Sequence, residues 1–275
     1  MTSIFRKLAR KLGAGRGSIS MRGSKPEKLS DTQQQFVRWN AQRLGISLEE
    51  SRQRYEDSWR AVEGGHRRAD YRAFNDLSYD LYQVFFSDSE SEIYSAYAIH
   101  GPMHFLRMLS YSDPAWTEED PIIRHLSSYS TVDIIDYGCG LAQRSRALAA
   151  YLQNKGIQVK LVLVDIPTIR KDFLLWMGRE NKIDTIFIDS SEHTPVPELP
   201  AADICIATEF FEHVYDPLPY FRNIDKALRE NALLVTNVAD HKQEFMHVSP
   251  ELAVLREEIR TLDYDELEQH QLFRK

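Results

Sequence analysis

Short apolar runs separated by longer polar segments fill the second half of the chain. Five of these runs are predicted strands, over residues 132–137, 159–165, 185–189, 203–208 and 232–237. The longest are nearly continuous Val, Ile and Leu rather than an alternation, which is typical of strands buried on both faces of a parallel sheet. The segments between them have room for crossover helices. The pattern therefore predicts an α/β fold with a doubly wound, mostly parallel sheet.

Residues 30 to 112 show helical periodicity instead. Ser47-Leu-Glu-Glu50 has the form of a capping box, and we expect it to open a helix that runs to about residue 62. Two further helical stretches are expected, one over 70–86 and one over 91–111 that is interrupted near Gly101-Pro102. Aromatic side chains recur here at helical spacing, so most of them should pack as core against the sheet. We place four side chains of this region near a ligand: Tyr94, Tyr97, His100 and His104.

The C-terminal end leaves little room for further strands. After the fifth strand, a helix is expected from Ser249 to about Thr261, and segments 264–268 and 271–274 are candidates for two short strands. The sheet would then have seven strands, or six if one of these is missing. The expected organisation is a basic, flexible segment over 1–28, a helical cap region over 29–120 and a ligand-binding domain over 121–275.

The most informative motif follows the first predicted strand. Asp136-Tyr-Gly138-Cys139-Gly140 is an acid followed by a glycine turn that leads into a helix. Glycine lets a ligand approach the main chain closely, and a helix N-terminus favours polar or anionic groups. Both NAD(P) and S-adenosylmethionine are bound in this way. The dinucleotide fingerprint requires a third glycine three residues after the second, and that position is Gln143, which counts against a pyrophosphate.

Acidic residues end the next two strands as well. Asp165 ends the second strand, where a carboxylate suits the two hydroxyls of a ribose, and Asp189 ends the third. Pro167 is placed in the first turn of the following helix. Because ligands in open α/β sheets bind outside the carboxyl ends of the strands, these acids should lie around one site.

The fourth strand runs into Glu209-Phe-Phe-Glu212-His213-Val-Tyr-Asp216-Pro217. With the three preceding motifs, this string resembles class I S-adenosylmethionine-dependent methyltransferases, in particular the small-molecule O-methyltransferases of the ubiquinone pathway, over about residues 131–240. The resemblance implies a Rossmann-like methyltransferase sheet and S-adenosylmethionine as cofactor. The cofactor-binding residues that it implies are Asp136, Gly138, Cys139, Gly140, Asp165, Ile166, Asp189, Ser190 and Glu209.

Methyl transfer to an oxygen requires removal of a proton, by a base or with the help of a metal. His213, assisted by Glu212, is the expected base, although a histidine that starts a helix can equally serve to bond a loop carbonyl. In the proteins that this one resembles, carboxylates and imidazoles in this order also bind divalent metals. The segment 239–247 offers His241 and His247 as a further ligand, and the expected set for Mg²⁺ or Mn²⁺ is Glu209, Glu212, His213 and His241.

Two other functions stay open at this point. One is a methyltransferase-like subunit that binds without catalysing, and the other is an NAD(P)-dependent oxidoreductase. The expected acceptor is a small molecule or a saccharide. The oligomeric state is left open.

Composition narrows the class of partner. The net charge is −7, yet residues 1–28 hold eight Lys or Arg against one acid, so the rest of the chain is near −14. So acidic a body argues against binding to nucleic acid. The basic segment is either a disordered tail or a helix that binds weakly to an anionic membrane surface. The apolar face of that helix would be formed by Ile4, Phe5, Leu8 and Leu12.

The chain contains no apolar run of about 18 to 20 residues, no secretory segment is expected, and its two cysteines are expected to be reduced, buried thiols. A cytoplasmic location is expected. If the basic segment binds the membrane, the protein would be peripheral at the inner membrane face.

Overall fold

The computed structural model describes residues 29–64, 105, 108, 109, 111, 113–240, 247–249 and 251–275. The basic segment over 1–28, the helix expected over 70–86 and most of the one expected over 91–111 lie outside the described residues. So do Tyr94, Tyr97, His100, His104 and His241.

A seven-stranded sheet forms the centre of the protein. Its strands are β1 Thr131–Tyr137, β2 Gln158–Asp165, β3 Asp184–Asp189, β4 Ala202–Ala207, β5 Leu228–Thr236, β6 Asp265–Glu268 and β7 Leu272–Arg274. The order across the sheet is β3-β2-β1-β4-β5-β7-β6. Strands β1 to β5 are parallel, and β7 lies antiparallel between β5 and β6. This confirms the predicted doubly wound, mostly parallel sheet, with both short C-terminal strands present.

Helices cover the sheet and extend beyond it. They are α1 Asp31–Leu44, α2 Leu48–Gly64, α3 Pro121–Leu126, α4 Gln143–Asn154, α5 Ile169–Glu180, α6 Pro217–Ala227 and α7 Ala253–Thr261. The helix expected at Ser47 is confirmed, since the backbone N–H of Glu50 donates to the Ser47 hydroxyl at 3.1 Å. Helix α1 begins with a complete capping box, in which Ser30 and Gln33 bond each other's backbone.

Two expected helix starts are wrong by a few residues. Pro167 lies outside α5, because Thr168 is the N-cap and its hydroxyl accepts from the backbone of Arg170 at 3.3 Å. Helix α7 begins at Ala253 rather than at Ser249. The Ser249 hydroxyl instead donates to the carbonyl of Tyr215 at 3.0 Å, so this residue fastens a connecting segment.

Alternate residues of the inner strands build a core on each face of the sheet. On one face, Ile135 and Leu234 pack with α6 and α7, and on the other, Ile134 and Leu233 pack with α3 and α4. Because the side chains of a strand alternate between faces, both cores follow from the continuous apolar runs. Cys139 and Cys205 are buried free thiols, as predicted, and burial raises the pKa of both.

A third, aromatic cluster attaches the N-terminal helices beside the first glycine turn. Its members are Phe36, Trp39, Tyr55, Phe105, Phe173 and Trp176, together with the aliphatic Val37, Leu109, Leu141 and Met177. Phe173 lies at its centre, with ring centroids 5.3 Å from Trp39 and 5.8 Å from Phe105. Phe36, Trp39, Tyr55 and Phe105 therefore pack as core, as predicted for most aromatic residues of this region, whereas Tyr111 is exposed. None of the described helices is long and apolar enough to cross a membrane.

Candidate functional site

The turn between β1 and α4 has an unusual backbone. Gly138, Gly140 and Ala142 all have left-handed conformations, with φ of 69°, 55° and 53°. The N–H groups of Gly138 and Cys139 both donate to the carbonyl of Val164 on β2, at 2.8 and 3.2 Å. The first turn of α4 has no side-chain cap. The turn therefore holds the start of α4 close against the carboxyl ends of β1 and β2, at the point where the strand order reverses.

Asp136 links the strand before this turn to the helix after it. Its carboxylate accepts a hydrogen bond of 2.5 Å from the Ser145 hydroxyl in α4, and it is only 6% exposed. Burial raises the pKa of Asp136 to about 7, against the opposing effect of the Ser145 bond. The buried Arg146 donates from Nε to the carbonyl of Leu141 at 2.9 Å. Asp136 thus joins β1 to α4.

Asp165 stands beside the glycine turn, as the sequence predicted. One carboxylate oxygen accepts from the backbone N–H of Gly140 and the other from that of Ile166, both at 2.7 Å. A guanidinium nitrogen of Arg170 lies 3.5 Å from the second oxygen. The Arg170 side chain is only 6% exposed, and its Nε donates to the Thr168 hydroxyl at 3.1 Å. The carboxylate expected to bind ribose is therefore already surrounded by donors from the protein.

The third strand brings its acid to the same edge of the sheet. Asp189 pairs in register with Asp165, and the backbone N–H of Ser190 donates to the carbonyl of Asp165 at 2.9 Å. Lys171 binds both carboxylate oxygens of Asp189, at 2.7 and 2.9 Å. Ser190 donates its hydroxyl to the carbonyl of Pro195 at 2.9 Å.

The segment after β4 contacts the glycine turn through Phe210. Glu209 has a left-handed φ of 52°, and the carbonyl of Phe210 accepts from the N–H of His213 at 3.0 Å, which closes a turn of 3₁₀ helix over Phe211–His213. A Cβ placed on Gly138 would lie 2.5 Å from Cδ2 of Phe210. Only glycine therefore fits between the turn and this aromatic ring.

Glu212, His213 and His247 form a cluster at the end of this segment. Their ligand atoms all lie within 4.8 Å of one another, and the two imidazole rings are 4.9 Å apart at 74°. His247 reaches the cluster because the N–H groups of Val248 and Ser249 both donate to the carbonyl of Glu212, at 2.8 and 3.0 Å. Glu212 is fully buried, which raises its pKa to about 7.

This cluster contains two of the expected metal ligands, Glu212 and His213. Glu209 is exposed and is not one of its three members, although it interacts with the Glu212 carboxyl and accepts from the Asn237 amide at 3.4 Å. His247, which the sequence offered beside His241 as a further ligand, lies in the cluster, and His241 lies outside the described residues. The position of His247 follows from the hydrogen bonds of Val248 and Ser249 to the carbonyl of Glu212.

Three further residues of the site were not predicted: Met108, Arg170 and Phe210. Met108 lies against Gly140, where an added Cβ would meet its terminal methyl group, and its carbonyl accepts from the Gln143 amide at 2.8 Å. A basic residue in the first turn of the helix after Asp165 was the one sequence signal for Arg170, because that turn faces the carboxyl end of β2.

No family model matches the chain, and neither does any curated protein. Solved structures do. A candidate class I S-adenosylmethionine-dependent methyltransferase from Listeria monocytogenes is 14% identical over 89% of this chain and 87% of that one, with a TM-score of 0.45. The 4+2 cyclase SpnF is 15% identical over 66% of this chain and 74% of the cyclase, with a TM-score of 0.46. A candidate sarcosine dimethylglycine methyltransferase from Galdieria sulphuraria is 14% identical over 42% of each chain, with a TM-score of 0.35.

The chain spans less than half of the Galdieria protein. Its own topology, with β7 antiparallel between β5 and β6, is that of a seven-stranded Rossmann-like sheet. In this sheet, the glycine turn, Asp165 and the segment after β4 share the edge at which such sheets bind their ligands.

Proposed function

We propose that the protein is an S-adenosylmethionine-dependent methyltransferase that methylates an oxygen of a small molecule or a saccharide. The observation that carries this proposal is the contact between Phe210 and Gly138. It joins the glycine turn, where a nucleoside cofactor would bind, to the Glu212, His213 and His247 cluster, where a proton can be removed. A methyl donor and a base are needed within one site, and these two elements are adjacent.

The cofactor residues support this proposal by their positions. Gly138 and Gly140 leave the main chain accessible, and Asp165 lies 2.7 Å from the Gly140 nitrogen, at the position for ribose hydroxyls. Asp136 and Cys139 are buried at the turn and Ser190 is buried just after β3, whereas Ile166 is half-buried and Asp189 exposed at the ends of β2 and β3. When bound, S-adenosylmethionine supplies a methyl group on a positively charged sulfur that is itself the leaving group.

The protein must remove the proton from the acceptor hydroxyl. An alcohol loses its proton as the new carbon–oxygen bond forms, and His213 is half-buried beside the Glu212 carboxylate, with its Nε2 3.9 Å from Oε1. A carboxylate next to an imidazole stabilises the protonated ring, so His213 is the proposed base and Glu212 its partner. His213→Ala should therefore lower turnover by about 100-fold or more.

A divalent metal is a second way to assist the deprotonation of the acceptor. One carboxylate and two imidazoles with ligand atoms within 4.8 Å fit a single ion, and Glu212, His213 and His247 would hold it. Two imidazoles favour a transition metal such as Mn²⁺ over Mg²⁺, which prefers oxygen ligands. A bound metal would lower the pKa of an acceptor hydroxyl.

Calorimetric titration separates the functions. We expect S-adenosylmethionine to bind and NAD⁺ not to bind, and methyl transfer from the radiolabelled cofactor to appear in a panel of saccharides and hydroxylated small molecules. Binding of NAD⁺ alone would indicate the oxidoreductase, and cofactor binding without transfer to any acceptor would indicate the inactive binding subunit. Titration with Mn²⁺ tests the metal: His247→Ala should abolish its binding, and the exposed loop variant His193→Ala should not.

A further inference from the structure

Phe210 occupies a special position among the aromatic residues of the site. Its ring contacts three others, with centroids 4.8 Å from Tyr137, 5.3 Å from Phe211 and 5.4 Å from Tyr220. These three are 1%, 0% and 4% exposed, whereas Phe210 is only partly buried. The cluster therefore packs around the ring, and Phe210 is the member of these four that keeps accessible surface.

The position of this surface relative to the reacting groups is defined by two contacts. The ring lies against Gly138, and the carbonyl of the same residue accepts from the N–H of His213 at 3.0 Å. If the cofactor binds on the glycine turn and His213 deprotonates the acceptor, the methyl group must point from the turn towards His213. The residue that spans this interval is Phe210.

We propose that Phe210 determines the specificity of the site for the charged form of the cofactor, by presenting its ring to the sulfonium of S-adenosylmethionine. This rests on the proposed function. A cation within about 6 Å of an aromatic centroid is attracted by the negative face of the ring, and the attraction strengthens where water is excluded. The product, S-adenosylhomocysteine, carries a neutral thioether and gains nothing from the ring. The ring therefore favours the substrate over the product at the same site.

Phe210 is also well suited to this role by its rigidity. The left-handed Glu209 precedes it, the 3₁₀ turn follows it, and Tyr137 and Tyr220 pack around it. A ring held in this way loses little side-chain freedom when a ligand binds. Since the ring carries no charge, its effect should appear only in the difference between charged and neutral ligands.

The test is a calorimetric comparison of S-adenosylmethionine, S-adenosylhomocysteine and sinefungin, in which a carbon bearing a protonated amine replaces the sulfur and its methyl group. Phe210→Leu keeps an apolar side chain without the ring, and Phe210→Tyr keeps the ring. We expect Phe210→Leu to reduce the preference for S-adenosylmethionine over S-adenosylhomocysteine by about three- to thirty-fold, and to reduce that for sinefungin in the same direction. Phe210→Tyr should retain the parent's preference. Phe221→Leu, the same change in the buried core of α6, is the control and should leave it unchanged.

A Phe210→Leu protein that loses affinity for all three ligands equally, or for none of them, would overturn the proposal, since the ring would then act by shape or not at all. A parent protein that binds none of the three would overturn the proposed function as well. Thermal unfolding of each variant identifies any that fail to fold, and Phe210→Met, which also lacks the ring, replaces Phe210→Leu if that variant does not fold.

Discussion

The guanidinium of Arg170 lies 3.5 Å from the carboxylate of Asp165, and both side chains are nearly excluded from water. Asp165 ends β2, and Arg170 is in the first turn of α5, so the pair spans the loop between them. The same guanidinium lies 3.9 Å from the sulfur of Met108. The carboxylate that is placed to bind ribose hydroxyls thus has a cationic partner inside the protein, and a ligand must share or replace it.

Arg170→Met should therefore bind S-adenosylmethionine several-fold more tightly than the parent, because the ligand no longer competes with the guanidinium for Asp165. The same change should destabilise the protein by about 1 to 3 kcal/mol, since it leaves a buried carboxylate with fewer partners. Calorimetry and denaturant unfolding measure the two effects. Arg179→Met, at the exposed end of the same helix, is the control. Weaker binding in Arg170→Met would mean that the guanidinium holds the ligand itself.

Asp165→Ala should weaken binding of S-adenosylmethionine by about ten- to a hundred-fold, because charge-assisted hydrogen bonds to the ribose are lost. Calorimetric titration of the variant and the parent measures the ratio. Asp184→Ala, at the opposite end of β3, should bind as the parent does. Equal affinities for Asp165→Ala and the parent would remove Asp165 from the ligand site.

The sequence predicted the sheet because its inner strands are apolar on both faces. It located the start of β5 four residues late, because Arg229, Glu230 and Asn231 are exposed and give no apolar signal, although Leu228 already pairs with Ala202. It also predicted the two abbreviated strands at the C-terminus, one of which, β6, is entirely exposed.

The site was less predictable than the fold. The acids at the ends of β1 to β3 were found from their spacing, but what each one contacts depends on tertiary structure. Phe210 against Gly138 and His247 beside Glu212 are contacts between segments distant in sequence, and the bond between Arg170 and Asp165 depends on how the loop after β2 turns back. Residues with a left-handed backbone, such as Glu209, change the direction of the chain, and the pattern of apolar residues does not predict them.

Gly138→Ala tests the close approach of the glycine turn to Phe210. Alanine at φ 69° is strained, and its methyl group would lie 2.5 Å from the Phe210 ring, so we expect a loss of stability of about 2 to 4 kcal/mol. Gly45→Ala is the matched control, because φ is 64° there and nothing lies within 4 Å, so it should lose only about 1 kcal/mol. Denaturant unfolding measures both.

Adding Phe210→Leu to Gly138→Ala should recover part of the loss, because the smaller side chain can give way. This non-additivity is the signature of a direct contact. Strictly additive losses would show that the methyl group and the ring do not meet.

Asp136→Asn should change how stability depends on pH. Burial raises the pKa of Asp136 to about 7 from 3.8, so the folded protein keeps a proton that the unfolded chain releases above about pH 4. The contribution of this group to stability is therefore complete below pH 4, declines as the pH rises towards 7 and is constant above that. Asparagine does not titrate, and its amide oxygen can still accept the bond from Ser145.

The stability of Asp136→Asn relative to the parent should accordingly rise between pH 5 and pH 7, by roughly 1.4 kcal/mol per pH unit at most, and then level off. Denaturant unfolding of both proteins at a series of pH values from 5 to 8 measures this difference. Asp184→Asn, which alters an exposed carboxyl, should run parallel to the parent over the same range. A difference that stays flat, or that falls as the pH rises, would mean that Asp136 is ionised in the folded protein throughout, and that the link between β1 and α4 is a charged one.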